Sequence, residues 1–241
     1  MTFVVKEHGG LSPGQFERPF FLKHFTPYRF SKGLVKDKKV LEIGFGDGYG
    51  SFYLAPCVES IIGVDLFQKN AALARKKYDH RSLKFMVTDG SKLAFTDKSF
   101  DVVLAFQVIE HLPRGLHHDF LEEIKRVLRR GGFLILTTPN LLCLQKKGKR
   151  YAKNPHHDLE FSAEMLISLL REHFEKIDMY KVDYSFKQKF FIKLKRIGIF
   201  KYAPPAFNPV DRYFKNMHEE DFVVREAPVK KAPDILAVCH A

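Results

Sequence analysis

The stretch VLEIGFGDGYG, residues 40 to 50, runs from an apolar segment through Glu42 into Gly44, Gly46, Gly48 and Gly50. Closely spaced glycines remove Cβ atoms where the main chain must approach a ligand, and a glycine turn opening a helix presents backbone N–H groups to it. Nucleotides suit such a loop. The dinucleotide fingerprint G-x-G-x-x-G requires a glycine where Tyr49 stands, so the spacing here is G-x-G-x-G with an acid before it. Asp65 ends the next apolar run, SIIGVDL, where a carboxylate can accept ribose hydroxyls. Two polar clusters follow. Glu110 and His111 lie in VIEHLP; His156, His157, Asp158 and Glu160 lie in NPHHDLEF. A histidine titrating near neutrality suits proton removal, which makes His111 the leading candidate base. The alternative is that Glu110 and His111 fix their loop by hydrogen bonding. Histidines and carboxylates can also ligate a metal. Mg²⁺ favours oxygen ligands and no carboxylate set is recognisable elsewhere, so no metal is expected.

These residues need elements to hold them. Short β-rich apolar runs occur at 39–44, 60–66, 83–87, 101–106 and 133–138. Helix-period segments lie between several of them. In HDFLEEIKRVLRRGG, Phe120, Leu121, Ile124, Val127 and Leu128 share one face, and Gly131 is positioned as the stop. Ser162 can cap a helix carrying Met165, Leu166, Leu169, Leu170 and Phe174, and strands are expected at 176–182 and 234–240. His117 and His118 open an amphipathic helix and are expected to face solvent. Strands alternating with amphipathic helices imply an α/β fold with a parallel sheet covered on both faces.

With 241 residues and no flexible linker, the whole chain, 1–241, is expected to be one domain, with a lead-in at 1–36 and an insertion or lid at about 185–232. The amino terminus lacks the pattern of a secretory signal, and no apolar stretch is long enough to span a bilayer. Cys57, Cys143 and Cys239 have neither paired nor metal-like spacing. A cytoplasmic, reduced protein is expected. Lys and Arg outnumber Asp and Glu by 40 to 28, with the excess concentrated in QKKGKRYAK (145–153) and KQKFFIKLKR (187–196). Such a field attracts anions without choosing among phosphates, lipid heads and nucleic acid.

VLEIGFGDGYG, GVDL, VTDGSKLAF, FDVVLAFQVIEHL and LRRGGFLILTTPN, in that order, resemble the class I S-adenosylmethionine-dependent methyltransferases, specifically a small-molecule branch of ubiquinone-biosynthesis and glycan-cluster enzymes. The resemblance covers about Val40 to Tyr180. It implies a Rossmann-like, three-layer αβα fold on a seven-stranded sheet whose last strand is antiparallel. It also implies S-adenosyl-L-methionine as cofactor, with Gly44, Gly46 and Gly48 beside its methionine and ribose portions. Glu42 would support the loop or reach the amino group through water. Asp65, with Leu66 beside it, would bind the ribose; Asp89 and Gly90 would meet the adenine edge; Gln107 would lie under the methionine moiety. Phe45 departs from the small residue common after the first glycine and could narrow the pocket.

A sulfonium is an activated methyl donor, so such a protein must mainly align an acceptor and exclude water. The resemblance would place His157 near the acceptor. FQVIEHLP contains no Asn-Pro-Pro-Tyr-like element, which speaks against methylation of nucleic-acid bases. The expected acceptor is a small molecule, such as a sugar hydroxyl on a phosphate-bearing or lipid-linked glycan; a quinol or lipid precursor is the alternative. KFFIKLKR could lie on an anionic membrane, or could cover the core. Two rivals share the glycine loop: a nicotinamide-dependent oxidoreductase, and a non-catalytic module binding a nucleoside or RNA.

Overall fold

The structure is a computed structural model in which residues 17–145, 151–198, 200, 202–204, 207–226, 228–229 and 232–241 are described. The lead-in before residue 17 and residues 146–150 of the first basic segment lie outside the described residues.

Helix α1 (Arg18–Leu34) precedes β1 (Lys39–Ile43), α2 (Tyr49–Leu54), β2 (Ser60–Asp65), α3 (Gln68–Lys77), β3 (Leu83–Val87) and β4 (Phe100–Phe106). The chain continues through α4 (His117–Val127), β5 (Leu128–Pro139), α5 (Leu141–Leu144), α6 (Ala163–Arg171) and β6 (Lys176–Tyr184). It ends with α7 (Phe186–Ile197), α8 (Pro209–Lys215), β7 (Phe222–Glu226) and β8 (Asp234–His240). The strands form one sheet in the order β3-β2-β1-β4-β5-β8-β6-β7. β1 to β5 pair in parallel, and β8 inserts antiparallel between β5 and β6.

All seven residues of β4 are buried, as a strand covered on both faces requires. Alternate side chains serve two cores. Val103 and Ala105 point to the face packed by Phe120, Leu121 and Ile124 of α4, whereas Val102 and Leu104 point to the face packed by Phe25 and Tyr28 of α1 and Leu54 of α2. This is the expected three-layer αβα arrangement, with eight strands rather than seven. The additional strand, β7, pairs antiparallel with β6 at the sheet edge. Its apolar run is only Phe222 to Val224 and follows three acids, too brief to register as a strand period.

One further expectation is corrected. α4 ends at Val127, not at Gly131: Leu128 is already extended and pairs with Phe100, and the register shifts before Val102 meets Phe133. Gly131, at φ +78°, turns within that irregularity. The stretch expected as an insertion or lid, 185–232, carries α7, α8 and β7; residues 199, 201, 205–206, 227 and 230–231 fall outside the described residues. Among the described residues no helix is long and apolar enough to cross a membrane.

Candidate active site

β1 lies between β2 and β4, and the helices after β1 and β4 pack on opposite faces of the sheet. The loops therefore diverge and open a crevice at the carboxyl ends of these strands, the position where open α/β sheets bind ligands. A cavity of about 650 Å³ occupies it. Of the residues singled out in the sequence, Gly44, Gly46, Asp65, Leu66, Asp89, Gly90, Gln107, His111 and His157 all reach its wall.

Glu42 and Gly48 lie behind that wall. Glu42 is buried and accepts hydrogen bonds from the Tyr28 hydroxyl at 2.5 Å and from the Ser51 hydroxyl. Burial pushes its pKa upward while the two donors oppose the shift. The carboxylate thus ties α1 and α2 to β1 beneath the loop, the supporting alternative read in the sequence. Gly48 precedes α2 at φ +94°, and a Cβ there would come within 2.8 Å of the Phe85 ring. Gly44, at φ +76°, would drive a Cβ to 2.6 Å from Val108 Cγ2. Both positions require glycine for conformation and for space. Phe45 turns inward against Phe85, with ring centroids 4.7 Å apart, while still lining the cavity.

Asp65 is gripped by its neighbours. Oδ2 accepts the Gly46 N–H at 3.0 Å, and Oδ1 accepts the Phe67 N–H at 2.9 Å and the Asn70 amide at 3.1 Å. Burial raises the Asp65 pKa, opposed by these donors. A carboxylate offers about four acceptor sites. These donors take up most of that capacity. Asp89 holds the N–H and hydroxyl of Ser91, both at 2.8 Å, which fixes the loop after β3. Gln107 adopts φ +56°, unusual for a residue with a side chain, and donates its amide to Thr137 Oγ1 at 3.2 Å. Such left-handed geometry costs of order 1–3 kcal/mol and clusters at ligand sites.

A second cavity, about 1020 Å³, adjoins the first, and Phe20, His24, Gln107, Asn154 and His157 border both. Lys23, Lys181, Lys189 and Arg196 line it together with Asp183 and Asp234. Lys23 pairs with Asp234 at 2.9 Å and Lys189 with Asp183 at 2.6 Å, whereas Arg196 has no ion pair among the described residues.

The two histidine clusters converge beside this border. His111 Nδ1 donates to the His156 carbonyl at 3.0 Å, and His157 Nδ1 lies 2.9 Å from Glu160 Oε1. The two rings meet edge to face with centroids 4.9 Å apart. Glu110 is fully buried; burial pushes its pKa up to about 8, with Thr138 Oγ1 donating to Oε2 at 3.0 Å. Its backbone carbonyl accepts from Asp158 N at 2.8 Å and Leu159 N at 3.2 Å. Glu110 and His111 therefore fix the neighbouring loop.

Sequence reasoning missed several participants. His24, on α1, stands at the border of the two cavities with its pKa lowered to about 4 by burial and by Lys23. No spacing signal marks it. Asn70, one turn beyond Asp65, could have been suspected from that interval. His117 is not solvent-facing: its Nε2 lies 3.1 Å from the Ile109 carbonyl inside the core, and only His118 is exposed.

The scan against family models matches a methyltransferase domain over residues 41–136. Over 154 residues the chain is 35% identical to a "probable S-adenosylmethionine-dependent methyltransferase" of Mycobacterium tuberculosis, covering 64% of this chain and 54% of that relative. A fatty-acid O-methyltransferase of Mycolicibacterium smegmatis is 37% identical over 105 residues, 43% of this chain and 38% of its own length. The chain thus spans about half the length of the first of these relatives. Among solved structures, a SAM-dependent methyltransferase of Thermotoga maritima, described as a possible histamine N-methyltransferase, superposes with a TM-score of 0.64 at 21% identity and 93% coverage of both chains. That likeness concerns the fold. Residues 41–136 thus match a methyltransferase domain, and the chain is similar in sequence to S-adenosylmethionine-dependent methyltransferases and shares the fold of one.

Proposed function

We propose that the protein transfers a methyl group from S-adenosyl-L-methionine to an oxygen of a small acceptor, with a sugar hydroxyl on a phosphate-bearing or lipid-linked carrier as the acceptor class. The observation that carries the reading is the pair of cavities meeting at Gln107, His157 and His24. A cavity of about 650 Å³ is within the range of small-ligand sites. Gly44 and Gly46 line that cavity, where main chain without a Cβ allows the close approach this cofactor needs. Gly44, Gly46 and Gln107 would hold its methionine portion, Asp65 with Leu66 its ribose, and Asp89 with Gly90 its adenine edge, while Glu42 and Gly48 support the loop from behind.

When bound, the cofactor supplies a methyl already activated on a sulfonium. The chain's own residues must orient the acceptor, exclude water and take up the hydroxyl proton. His111 suits the last task by its place on the cavity wall, where its ring is held by the Nδ1 bond to the His156 carbonyl. His157, held by Glu160, would orient the acceptor from the border of the two cavities. Arg196, with Lys23, Lys181 and Lys189, makes the second cavity receptive to an anionic carrier.

A second reading, a fatty-acid or lipid-precursor acceptor, is favoured by the fatty-acid O-methyltransferase relative and by the surface of α7. Phe186 is 77% exposed and Phe190 58% exposed, among Lys187, Lys189, Lys193, Lys195 and Arg196. An apolar and cationic helix of this kind fits peripheral contact with an anionic membrane beside the second cavity. Incubation of the purified protein with labelled methyl donor and a fractionated metabolite extract tests the function. Label in a phosphate-bearing sugar supports the first reading and label in an acyl chain the second; label in neither, with intact donor recovered, would reject both.

A further inference from the structure

The geometry points to a divalent-cation site at the acceptor edge of the cavity, formed by Glu110, His111 and His157. One carboxylate oxygen and one ring nitrogen from each histidine lie within 4.8 Å of one another. In a tetrahedral site with bonds of about 2.0–2.1 Å, ligand atoms stand roughly 3.3 Å apart, so closure requires a relative movement of at most roughly 1.5 Å. Rotation of the side chains provides that range.

Independent observations support a ligand here. Glu110 is completely buried, and its Oε1 has no hydrogen-bond partner among the described residues. A buried carboxylate oxygen left unpaired is costly, and a cation beside it removes that cost. Each prospective ligand is also braced from outside. Thr138 donates to Glu110 Oε2, the His156 carbonyl receives His111 Nδ1, and Glu160 meets His157 Nδ1. Metal-bound histidines almost always donate their second ring nitrogen to a carbonyl or carboxylate in this way, and ligating carboxylates are themselves hydrogen-bonded. Asn154, an exposed loop residue, now lies 3.1 Å from His157 Nε2, and a cation would replace that contact.

Two imidazoles and one carboxylate suit a borderline first-row ion such as Zn²⁺, Fe²⁺ or Mn²⁺ better than Mg²⁺. The site therefore departs from the metal-free expectation, which weighed Mg²⁺ and its preference for oxygen ligands. Glu110 and His111 come from the loop after β4 and His157 from a loop far along the chain; Asp158 and Leu159 join them by bonding to the Glu110 carbonyl. Three protein ligands leave a position open to the cavity. There an acceptor hydroxyl would bind through oxygen and release its proton to solvent water, an alternative to His111 as base because both uses require the His111 lone pair. This inference rests on the acceptor-edge reading above.

The test uses the whole protein, stripped with chelator and titrated with Co²⁺ without donor or acceptor. The expected result is a saturable 1:1 visible absorption displaced by Zn²⁺. Glu110→Gln, His111→Ala and His157→Ala should each weaken Co²⁺ binding by at least roughly tenfold while circular dichroism shows the fold retained. His118→Ala, a surface control, should bind as the parent does. Absence of the absorption, binding unchanged in the three variants, or its loss in His118→Ala would overturn the site. Titration of the same samples with S-adenosyl-L-homocysteine separates the outcomes: binding of the nucleoside without Co²⁺ removes only the cation site.

Discussion

Replacing Asp65 with alanine probes the ribose grip. Three donors, Gly46 N–H, Phe67 N–H and Asn70, already hold the carboxylate, so the bound nucleoside gains at most one unhindered hydrogen bond from Oδ2. A hydrogen bond to a charged group contributes about 1.5–3 kcal/mol, which converts to roughly 10- to 150-fold in affinity. Asp65→Ala should weaken S-adenosyl-L-homocysteine by that factor in isothermal titration. Asp65→Asn should weaken it too: whichever way the amide is turned, its NH₂ faces Gly46 N–H or the Phe67 and Asn70 donors. Each variant needs only an unaltered far-ultraviolet spectrum to be informative. Unchanged affinity in both folded variants would refute the ribose role, and a loss far above 150-fold would mean that both hydroxyls are taken with donor displacement.

His111→Ala should slow methyl transfer to a hydroxyl acceptor more than it weakens S-adenosyl-L-homocysteine binding, whereas a carboxylate acceptor needs no base and should be unaffected; equal effects on the two acceptors would end the proton-acceptor role. Gly50→Ala should destabilise by roughly 1–3 kcal/mol, because the new Cβ would lie 2.0 Å from the Tyr28 ring that anchors Glu42, and an unshifted urea midpoint would show that α1 yields. His24 has a folded pKa lowered from 6.5 to about 4, so the unfolded chain binds the extra proton; its stabilising contribution is complete above about pH 6.5 and is lost as pH falls toward about 4. His24→Gln should flatten that slope in acid denaturation, and an unchanged slope would assign the acid sensitivity elsewhere. Changing Lys187, Lys193 and Lys195 to Gln should reduce binding to phosphatidylserine vesicles by roughly 100-fold at about 1 kcal/mol per charge, and binding that survives would remove α7 as the contact.

The parts of the site that sequence revealed were those whose physics is local. A glycine loop needs its residues within one turn, so Gly44, Gly46 and Gly48 announce both strand end and helix start, and Asp65 announces the next strand end. Buried strands such as β4 declare themselves by continuous apolar runs. Ser162 caps α6 as read, accepting Met165 N–H at 3.2 Å. Capping signals of the same kind existed in the stretch after β6: Ser185 accepts from Gln188 N at 3.2 Å and Asn208 from Val210 N at 3.0 Å, yet the interspersed lysines and aromatics of α7 hid its period. Long-range pairings were not legible. Nothing in VIEHLP or NPHHDLEF states that His111 will meet His157, since the backbone bonds from Asp158 and Leu159 to Glu110 bring them together. His24 was invisible for the same reason: α1 acquires its cavity-facing side only by packing on β1 and β4 and by the Lys23–Asp234 pair to β8.

The two cavities are walled by different parts of the fold. The first is shaped by main chain and by residues at the ends of β1, β2 and β4, where sheet geometry permits little variation. The second is walled by α1, β6 and α7, elements outside the run of motifs that identifies the family. Acceptor choice is therefore expected to follow changes in α1 and α7, while donor binding follows the glycine loop and Asp65.

On the proposed function, the switch-point cavity holds an adenosyl donor against the glycine loop. Isothermal titration of the purified protein with S-adenosyl-L-homocysteine, with NADH as comparison, tests it most directly. One saturable site for S-adenosyl-L-homocysteine and no heat from NADH is the expected result; silence toward S-adenosyl-L-homocysteine, or preference for NADH, would contradict the account.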